Sequence, residues 1–129
     1  TAFLGHMAMI SNGYAGSGGD ALPYYFQYYE LGEVIGTRTW GGLVGISRGI
    51  RLMDGGGVTF PEFGLFNVNG EWDVENYGVE PTIEIDNLPH EEIAGRDPQL
   101  EKAVEVLLRK IEDEPLQVPA HGDFPRDKN

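Results

Sequence analysis

Residues 9–20, MISNGYAGSGGD, decide the fold of this chain, because they lead an apolar run into a glycine-rich turn. Residues 6–11 form the apolar run, which predicts a buried strand. Asn12 and Gly13 are a turn signal at the end of that strand. The sequence therefore predicts a strand that meets a tight turn through residues 13–19.

A helix and a second strand are predicted directly after this turn. The apolar residues of the helix have the spacing of one helical face: Leu22, Tyr25, Phe26 and Tyr29. Pro23 suits the first turn of the helix, and Gly32 suits its C-terminal stop. Val34 and Ile35 then begin a second strand. Strand, turn, helix and strand in this order predict an α/β unit.

The middle of the chain predicts short strands separated by Gly, Asp, Asn and Pro. These segments are residues 50–53, 58–60, 65–68 and 82–85. Asn69 followed by Gly70 is a strong hairpin signal. We therefore expect small β-structures between the α/β unit and the C-terminal region.

A regular helix is predicted near the C-terminus. Asp97 can cap it, with Pro98 at its first position, and Glu105 and Arg109 can pair four residues apart. Its apolar stripe consists of Leu100, Ala103, Val104, Leu107, Leu108 and Ile111. We expect residues 1–113 to form one domain and the proline-containing tail, 114–129, to lie along a surface or be partly disordered.

Composition excludes several classes of protein. The net charge of −12 would repel nucleic acid and anionic membranes; it could attract basic peptides or simply serve solubility. The chain has no cysteine, which removes disulfides and thiol catalysis. No apolar run approaches the roughly 18 residues that a membrane span needs. We expect no metal or cofactor, because the histidines are scattered and no carboxylates have loop-ligand spacing.

Ser17 is the residue that could carry chemistry. Its glycine neighbours allow a tight turn to lift the hydroxyl out of the backbone and let a substrate approach closely. The amide of Gly18 and the N-terminus of the following helix would offer donors to an oxyanion. The pattern alone also fits a serine that only caps the helix.

Three other glycine motifs compete with this interpretation. A phosphate-binding Walker loop needs a lysine after its last glycine, but Asp20 follows Gly19. The α/β-hydrolase elbow needs glycine where Ala15 stands. Residues 16–21 do satisfy the dinucleotide pattern G-x-G-x-x-A, although a spacer separates them from the strand. A nucleotide-binding α/β domain therefore stays an alternative.

Four motifs in order resemble the tail-specific (carboxyl-terminal processing) serine peptidase family, especially its tricorn-like branch. They are residues 9–20, LPYYF at 22–26, GTRTWGG at 36–42 and VENYGVEP at 74–81. The resemblance extends over about residues 5–112. It implies a crotonase-like α/β core, of which this chain would be the C-terminal part.

The resemblance also implies roles for particular residues. Ser17 would be the nucleophile in peptide hydrolysis, and the Gly18 amide one of two oxyanion donors. Glu75 matches a carboxylate that helps to hold the catalytic constellation together. The segment Trp40, Gly41 and Gly42 would border the substrate cleft.

The histidine base expected from the resemblance lies N-terminal to the nucleophile and matches none of His6, His90 and His121. Lys102 and Lys110 do not match the lysine base of other branches. The chain also opens without a basic leader or an initiating Met, so we expect an upstream segment to supply the base.

On this interpretation the isolated chain is nearly inactive. The expected partners are a peptide or unfolded protein substrate, the upstream remainder of the catalytic domain and further copies in a homo-oligomer. Cytoplasm and periplasm both stay open. A noncatalytic binding or assembly module that keeps the fold is the main alternative.

Overall fold

The computed structural model describes residues 3–46 and 49–122. Its elements are, in chain order, β1 (Met7–Ser11), α1 (Gly18–Tyr28), β2 (Gly32–Gly36), β3 (Val44–Gly45), β4 (Gly49–Arg51), β5 (Gly57–Thr59), β6 (Phe63–Gly64), β7 (Ile83–Glu84), α2 (Pro89–Ile93) and α3 (Pro98–Asp113). The predicted order of strand, turn, helix, short strands and closing helix is confirmed.

The main sheet is parallel and has the strand order β1-β2-β7. Helix α1 connects β1 to β2, whose registers align from Met7 opposite Gly32 to Ser11 opposite Gly36. Parallel strands end at the same edge of their sheet. The turn that follows β1 and the segment that follows β2 therefore leave the sheet side by side, which is where α/β proteins place their sites.

Helices cover both faces of this sheet, and the core lies between them. Val34 and Ile35 are completely buried, and successive strand residues point to opposite faces. Ile35 packs against Ala103 and Val106 of α3. On the other face, the ring of Phe26 from α1 lies against Gly32, which shares the orientation of Val34. The α/β class predicted from the sequence is confirmed.

The predicted bounds of α1 are wrong at both ends. The helix already begins at Gly18, so that Pro23 lies in its second turn rather than its first. The two glycines themselves form the first turn. At the other end Glu30 adopts the left-handed conformation, with φ 52°, and Gly32 belongs to β2.

Both predicted apolar helix faces are only partly correct. In α1 the buried residues are Asp20, Pro23 and Phe26, whereas Leu22, Tyr25 and Tyr29 are at least half exposed. In α3 the buried residues are Pro98, Gln99, Ala103 and Val106; the predicted Leu100, Val104, Leu108 and Ile111 are exposed. A sheet of three strands offers each helix only a narrow contact strip.

The predicted start of α3 is confirmed in detail. The Asp97 carboxylate accepts a hydrogen bond from the Leu100 amide at 3.0 Å, and Pro98 is the first helical residue. The hydrogen bond from that amide is the largest cause that lowers the pKa of Asp97 below its ordinary value, and the hydrogen bond from the Asn87 side chain is the second. The Arg109 guanidinium lies 2.8 Å from the Glu105 carboxylate, as expected for this spacing.

The short strands agree with the prediction only in part, because β3 and β6 were not predicted. Residues 50–53, 58–60 and 82–85 each overlap an observed strand, but residues 65–68 form none. The turn at Asn69 and Gly70 is not a β-hairpin, because the Asn67 side chain accepts from the Asn69 and Glu71 amides and closes a local loop instead. The hairpin lies elsewhere, between β4 and β5.

The C-terminal region adds one helix that was not predicted, α2, with proline near its start. Residues 115–122 are exposed and contain no helix or strand. The rest of the predicted tail, 123–129, lies outside the described residues. Among the described helices, none has the length and apolarity that a membrane crossing requires.

Candidate active site

Ser17 occupies a strained backbone position at the start of α1. Its φ of 56° and ψ of −110° fall in a region that glycine normally occupies, and its side chain is exposed. A helix cap usually has an extended backbone instead. Such a conformation costs about 1–3 kcal/mol and occurs at functional turns, where it pushes a side chain out of the chain path.

Asp20 holds this turn with a buried carboxylate. Its Oδ2 accepts hydrogen bonds from the Ser17 amide at 2.7 Å and from the Gly42 amide at 3.0 Å. Its Oδ1 accepts from the Gly41 amide at 2.8 Å. The carbonyl of Gly42 accepts a second bond from the Ser17 amide, at 3.1 Å. One side chain thus joins the Ser17 turn to the segment after β2.

That segment, residues 39–43, is also fixed from its other side. The Asn76 amide donates to the Gly41 carbonyl at 2.7 Å, and the Val79 amide donates to Oγ1 of Thr39 at 2.8 Å. The Thr39 amide donates to the Val79 carbonyl at 3.1 Å. The segment therefore lies between the Ser17 turn and the loop that carries Glu75.

Glu75 is half-buried and, like Asp20, accepts a hydrogen bond from a backbone amide of segment 39–43. Its Oε2 accepts a hydrogen bond from the Leu43 amide at 2.5 Å. Together, the Asp20 and Glu75 carboxylates accept hydrogen bonds from three consecutive backbone amides, those of Gly41, Gly42 and Leu43. Within the described residues Oε1 of Glu75 has no recorded hydrogen-bond partner.

Trp40 supplies an exposed aromatic surface next to Ser17. A Cβ added at Gly16 would meet the indole at 2.6 Å, and one added at Gly42 would overlap the same ring. The indole therefore lies directly over both glycines, while 68% of the residue stays exposed. The Trp40 amide donates to the Ala15 carbonyl at 2.9 Å, which fixes the residue to the Ser17 turn.

A recess lies between α1, Leu43 and the loop before Val74. Ala21, Tyr24 and Leu43 line it together with Phe66 and Asp73. Burial and, after it, the Asp73 carboxylate raise the pKa of Tyr24 above its ordinary value.

None of the three histidines forms a hydrogen bond with the Ser17 turn in the described part of the chain. Nε2 of His6 bonds the Glu114 carbonyl at 2.8 Å, and His6 precedes β1 whereas Ser17 follows it, a separation of about 17 Å along a five-residue strand. His90 belongs to α2, and Nδ1 of His121 bonds its neighbour. Lys102 pairs with a glutamate on its own helix.

Two observations bear on whether a metal or a phosphate could bind at this turn. No cluster of metal-ligating side chains occurs in residues 3–46 and 49–122. The amides of Ser17, Gly41 and Gly42, which a phosphate could have used, are already bonded to the Asp20 carboxylate. A phosphate there would also meet the negative charge of Asp20, which weighs against nucleotide binding.

Asp20 was not predicted as a site residue from the sequence. The available signal was its spacing, because an acid at the third helical position can accept from the amide of the capping residue. Its bonds to Gly41 and Gly42 reach the segment that follows β2, and no local pattern indicates such contacts. Thr39 and Gly78, which fix the loop that carries Glu75, were missed for the same reason.

Comparison with known proteins identifies relatives of this chain. The sequence model of peptidase family S41 matches residues 1–85. The tricorn protease of Thermoplasma acidophilum is 43% identical over 115 residues, which are 89% of this chain and 11% of that protein. Tricorn protease homolog 1 of Streptomyces coelicolor is 37% identical over 89% of this chain and 11% of its own length.

Solved structures agree with these sequence matches. The crystal structure of the tricorn protease matches with a TM-score of 0.77 and 45% identity, covering 81% of this chain and 10% of that one. The photosystem II D1 C-terminal processing protease shares the fold, with a TM-score of 0.50, 24% identity and coverage of 61% and 20%. The chain spans about a tenth of the length of the tricorn proteases that it matches.

Gly78→Ala tests the fixed position of segment 39–43. An alanine Cβ at Gly78 would overlap the Thr39 carbonyl, whereas one at Gly55 would meet no atom within 4 Å, although the two φ values are 92° and 88°. We expect Gly55→Ala to cost about 1 kcal/mol of unfolding free energy from its backbone conformation alone, and Gly78→Ala about 3 kcal/mol or more. Urea unfolding measures both; equal losses would contradict the close packing at Gly78.

Proposed function

This chain belongs to peptidase family S41, and on that premise we propose that it is the C-terminal part of a serine peptidase catalytic domain with Ser17 as nucleophile. The observation that supports this best is the strained, exposed backbone of Ser17 at the N-terminus of a helix, held by a buried carboxylate. The earlier resemblance to the tricorn-like branch agrees with the relatives found.

The proposed reaction proceeds through an acyl-enzyme. Oγ of Ser17 attacks the carbonyl carbon of the scissile peptide bond, and its proton passes to a base from a segment outside this chain. The carbon–nitrogen bond then breaks, and the leaving amine takes that proton. Water, deprotonated by the same base, hydrolyses the ester and regenerates the Ser17 hydroxyl.

Gly18 is the residue of this turn that can serve the oxyanion. The amide of Ser17 itself is already bonded to Asp20 and to the Gly42 carbonyl. The Gly18 amide is exposed at the first position of α1 and has no recorded acceptor among the described residues. Its place at the positive end of the helix dipole favours a developing negative charge. The second donor would come from outside this chain.

Glu75 would link the base to this half of the site. One of its oxygens is committed to the Leu43 amide, which fixes the carboxylate in place. The other oxygen can accept a hydrogen bond from the catalytic groups that lie outside this chain. It can thereby orient the base and stabilise its protonated, positively charged form. Trp40 would border the substrate beside it. Because the amides of Gly41 and Gly42 are used internally, these glycines would shape the cleft and not bond the substrate.

The proposal extends to the rest of the domain. Residues 1–113 would complete a crotonase-like core with the upstream segment, and residues 114–129 would be an appended tail. The substrate would be a peptide or an unfolded protein segment, and the assembled protein a homo-oligomer. Without the base and the second donor, the isolated chain would be nearly inactive, because an unactivated serine hydroxyl is a weak nucleophile.

Ser17→Ala in the full-length protein tests the nucleophile with a fluorophosphonate probe. We expect the wild-type protein to be labelled and Ser17→Ala to lose the label completely, because the reacting oxygen is gone. Ser11→Ala is the matched control, since Ser11 is a buried serine at the end of β1, before the turn, and it should keep the label. Labelling of Ser17→Ala would refute the assignment; an unlabelled wild type would favour the noncatalytic module.

Glu75→Gln separates a catalytic from a structural role of this carboxylate. The side-chain oxygen of glutamine can still accept the hydrogen bond from the Leu43 backbone amide. We therefore expect the free energy of unfolding to change by less than about 1 kcal/mol. Turnover should fall by about 100-fold or more, because glutamine cannot stabilise a positively charged base. Peptidase kinetics and urea unfolding measure the two effects.

The matched control for Glu75→Gln is Glu80→Gln, which removes a nearby exposed carboxylate paired with Arg38. It should leave turnover unchanged. If Glu75→Gln lost stability and turnover in the same proportion, its role would be structural.

A further inference from the structure

Asp20 is a carboxylate in an environment that carboxylates usually avoid. It is completely buried, and no lysine or arginine pairs with it among the residues that the structure describes. A buried charge is costly unless hydrogen bonds compensate for it. Three backbone amides and the N-terminus of α1 provide that compensation here.

A local helix cap does not account for these bonds. A capping acid at this position needs only the amide of Ser17 and can stay exposed to water. The two remaining bonds go to Gly41 and Gly42, which lie 21 and 22 residues along the chain. The Asp20 carboxylate therefore joins the turn after β1 to the segment after β2.

We propose that Asp20 is a positioning residue of the peptidase site: its carboxylate holds the Ser17 backbone and the 41–42 segment in one arrangement and thereby places the nucleophilic hydroxyl and the Gly18 amide. This inference rests on the proposed function, because it assigns Asp20 a part in placing that nucleophile. Asp20 itself touches no reacting atom.

The bond to the Ser17 amide has two consequences for the reaction. It opposes relaxation of Ser17 out of its strained conformation, which would move the hydroxyl away from the attack position. It also keeps the Ser17 amide from acting as an oxyanion donor, which leaves that task to Gly18. A displacement of about 1 Å at a reacting group can cost about 100-fold in rate.

Asparagine is the most informative replacement for Asp20, because it has nearly the shape of aspartate but a different set of donors. An aspartate accepts on both oxygens, whereas an asparagine accepts on one oxygen and presents an NH₂ group on the other side. In Asp20→Asn, the side-chain NH₂ group replaces one of the two accepting oxygens. In either orientation of the side chain, this NH₂ donor would point at the N–H donor of at least one of the three backbone amides, and that hydrogen bond would be lost. The substitution therefore weakens the link without leaving a cavity.

The experiment compares the full-length wild type with Asp20→Asn in peptidase kinetics and in the rate of fluorophosphonate labelling per folded molecule. We expect kcat and the labelling rate to fall together, by about 10- to 100-fold, while KM changes by less than about twofold. Asp97→Asn is the matched control: it makes the same chemical change at the exposed cap of α3 and should leave both rates unchanged.

The outcomes separate this inference from the proposed function. A wild type labelled at Ser17 together with an unchanged kcat in folded Asp20→Asn overturns the positioning role and leaves the peptidase intact. A wild type that is never labelled overturns the proposed function first. A rise in KM that matches the loss in kcat/KM, with kcat unchanged, also overturns the positioning role.

Amide hydrogen exchange of the wild type tests the same link even if Asp20→Asn does not fold. The bonds from Gly41 and Gly42 to Asp20 predict slow exchange in a peptide covering 39–43, comparable with the strand β2. The exposed turn between β4 and β5, residues 52–56, is the fast reference. Exchange at 39–43 as fast as in that turn would overturn the inference.

Discussion

The interaction on which the candidate site depends is the contact of one buried carboxylate with three backbone amides. The Asp20 carboxylate accepts one hydrogen bond from the Ser17 amide, in the turn after β1. It accepts two more from the Gly41 and Gly42 amides, in the segment after β2. A buried carboxylate stripped of these donors would lose most of its compensation for desolvation. The strained Ser17 turn and the glycine segment are therefore stable together, in one arrangement.

The parallel sheet makes this contact possible. Because β1 and β2 run in the same direction, their C-terminal ends bring two distant parts of the sequence to one edge. Glycines then let the segments approach: Gly16 and Gly42 lie under the Trp40 indole, and Gly78 touches the Thr39 carbonyl. Glu75 adds a second carboxylate on the outer side of the segment. On the proposed function this arrangement would be half of an acyl-transfer site, with Ser17 as the nucleophile, the Gly18 amide as one oxyanion donor and Glu75 as a supporting acid.

Sequence patterns predicted those parts of the fold that local forces determine. The strand at Val34 and Ile35, the Asp97 cap and the α/β order follow from periodicity and capping, and the structure has them all. The helix faces were harder to predict, because Leu22 and Leu100 are apolar yet exposed on a sheet of only three strands. The start of α1 was missed since Gly18 and Gly19 are poor helix formers alone and depend on the nearby Asp20 carboxylate. For the site, Ser17 stood in a recognisable turn, whereas the long-range bonds of Asp20 had no sequence signal.

The most direct test of Ser17 as nucleophile is a crystal structure of the full-length protein after reaction with a fluorophosphonate. The account predicts phosphorus bonded to Oγ of Ser17, with a phosphoryl oxygen about 2.7–3.1 Å from the Gly18 amide and the Ser17 amide still bonded to Asp20. Phosphorus on another residue would contradict the account. So would a phosphoryl oxygen that accepts from the Ser17 amide in place of the Asp20 carboxylate.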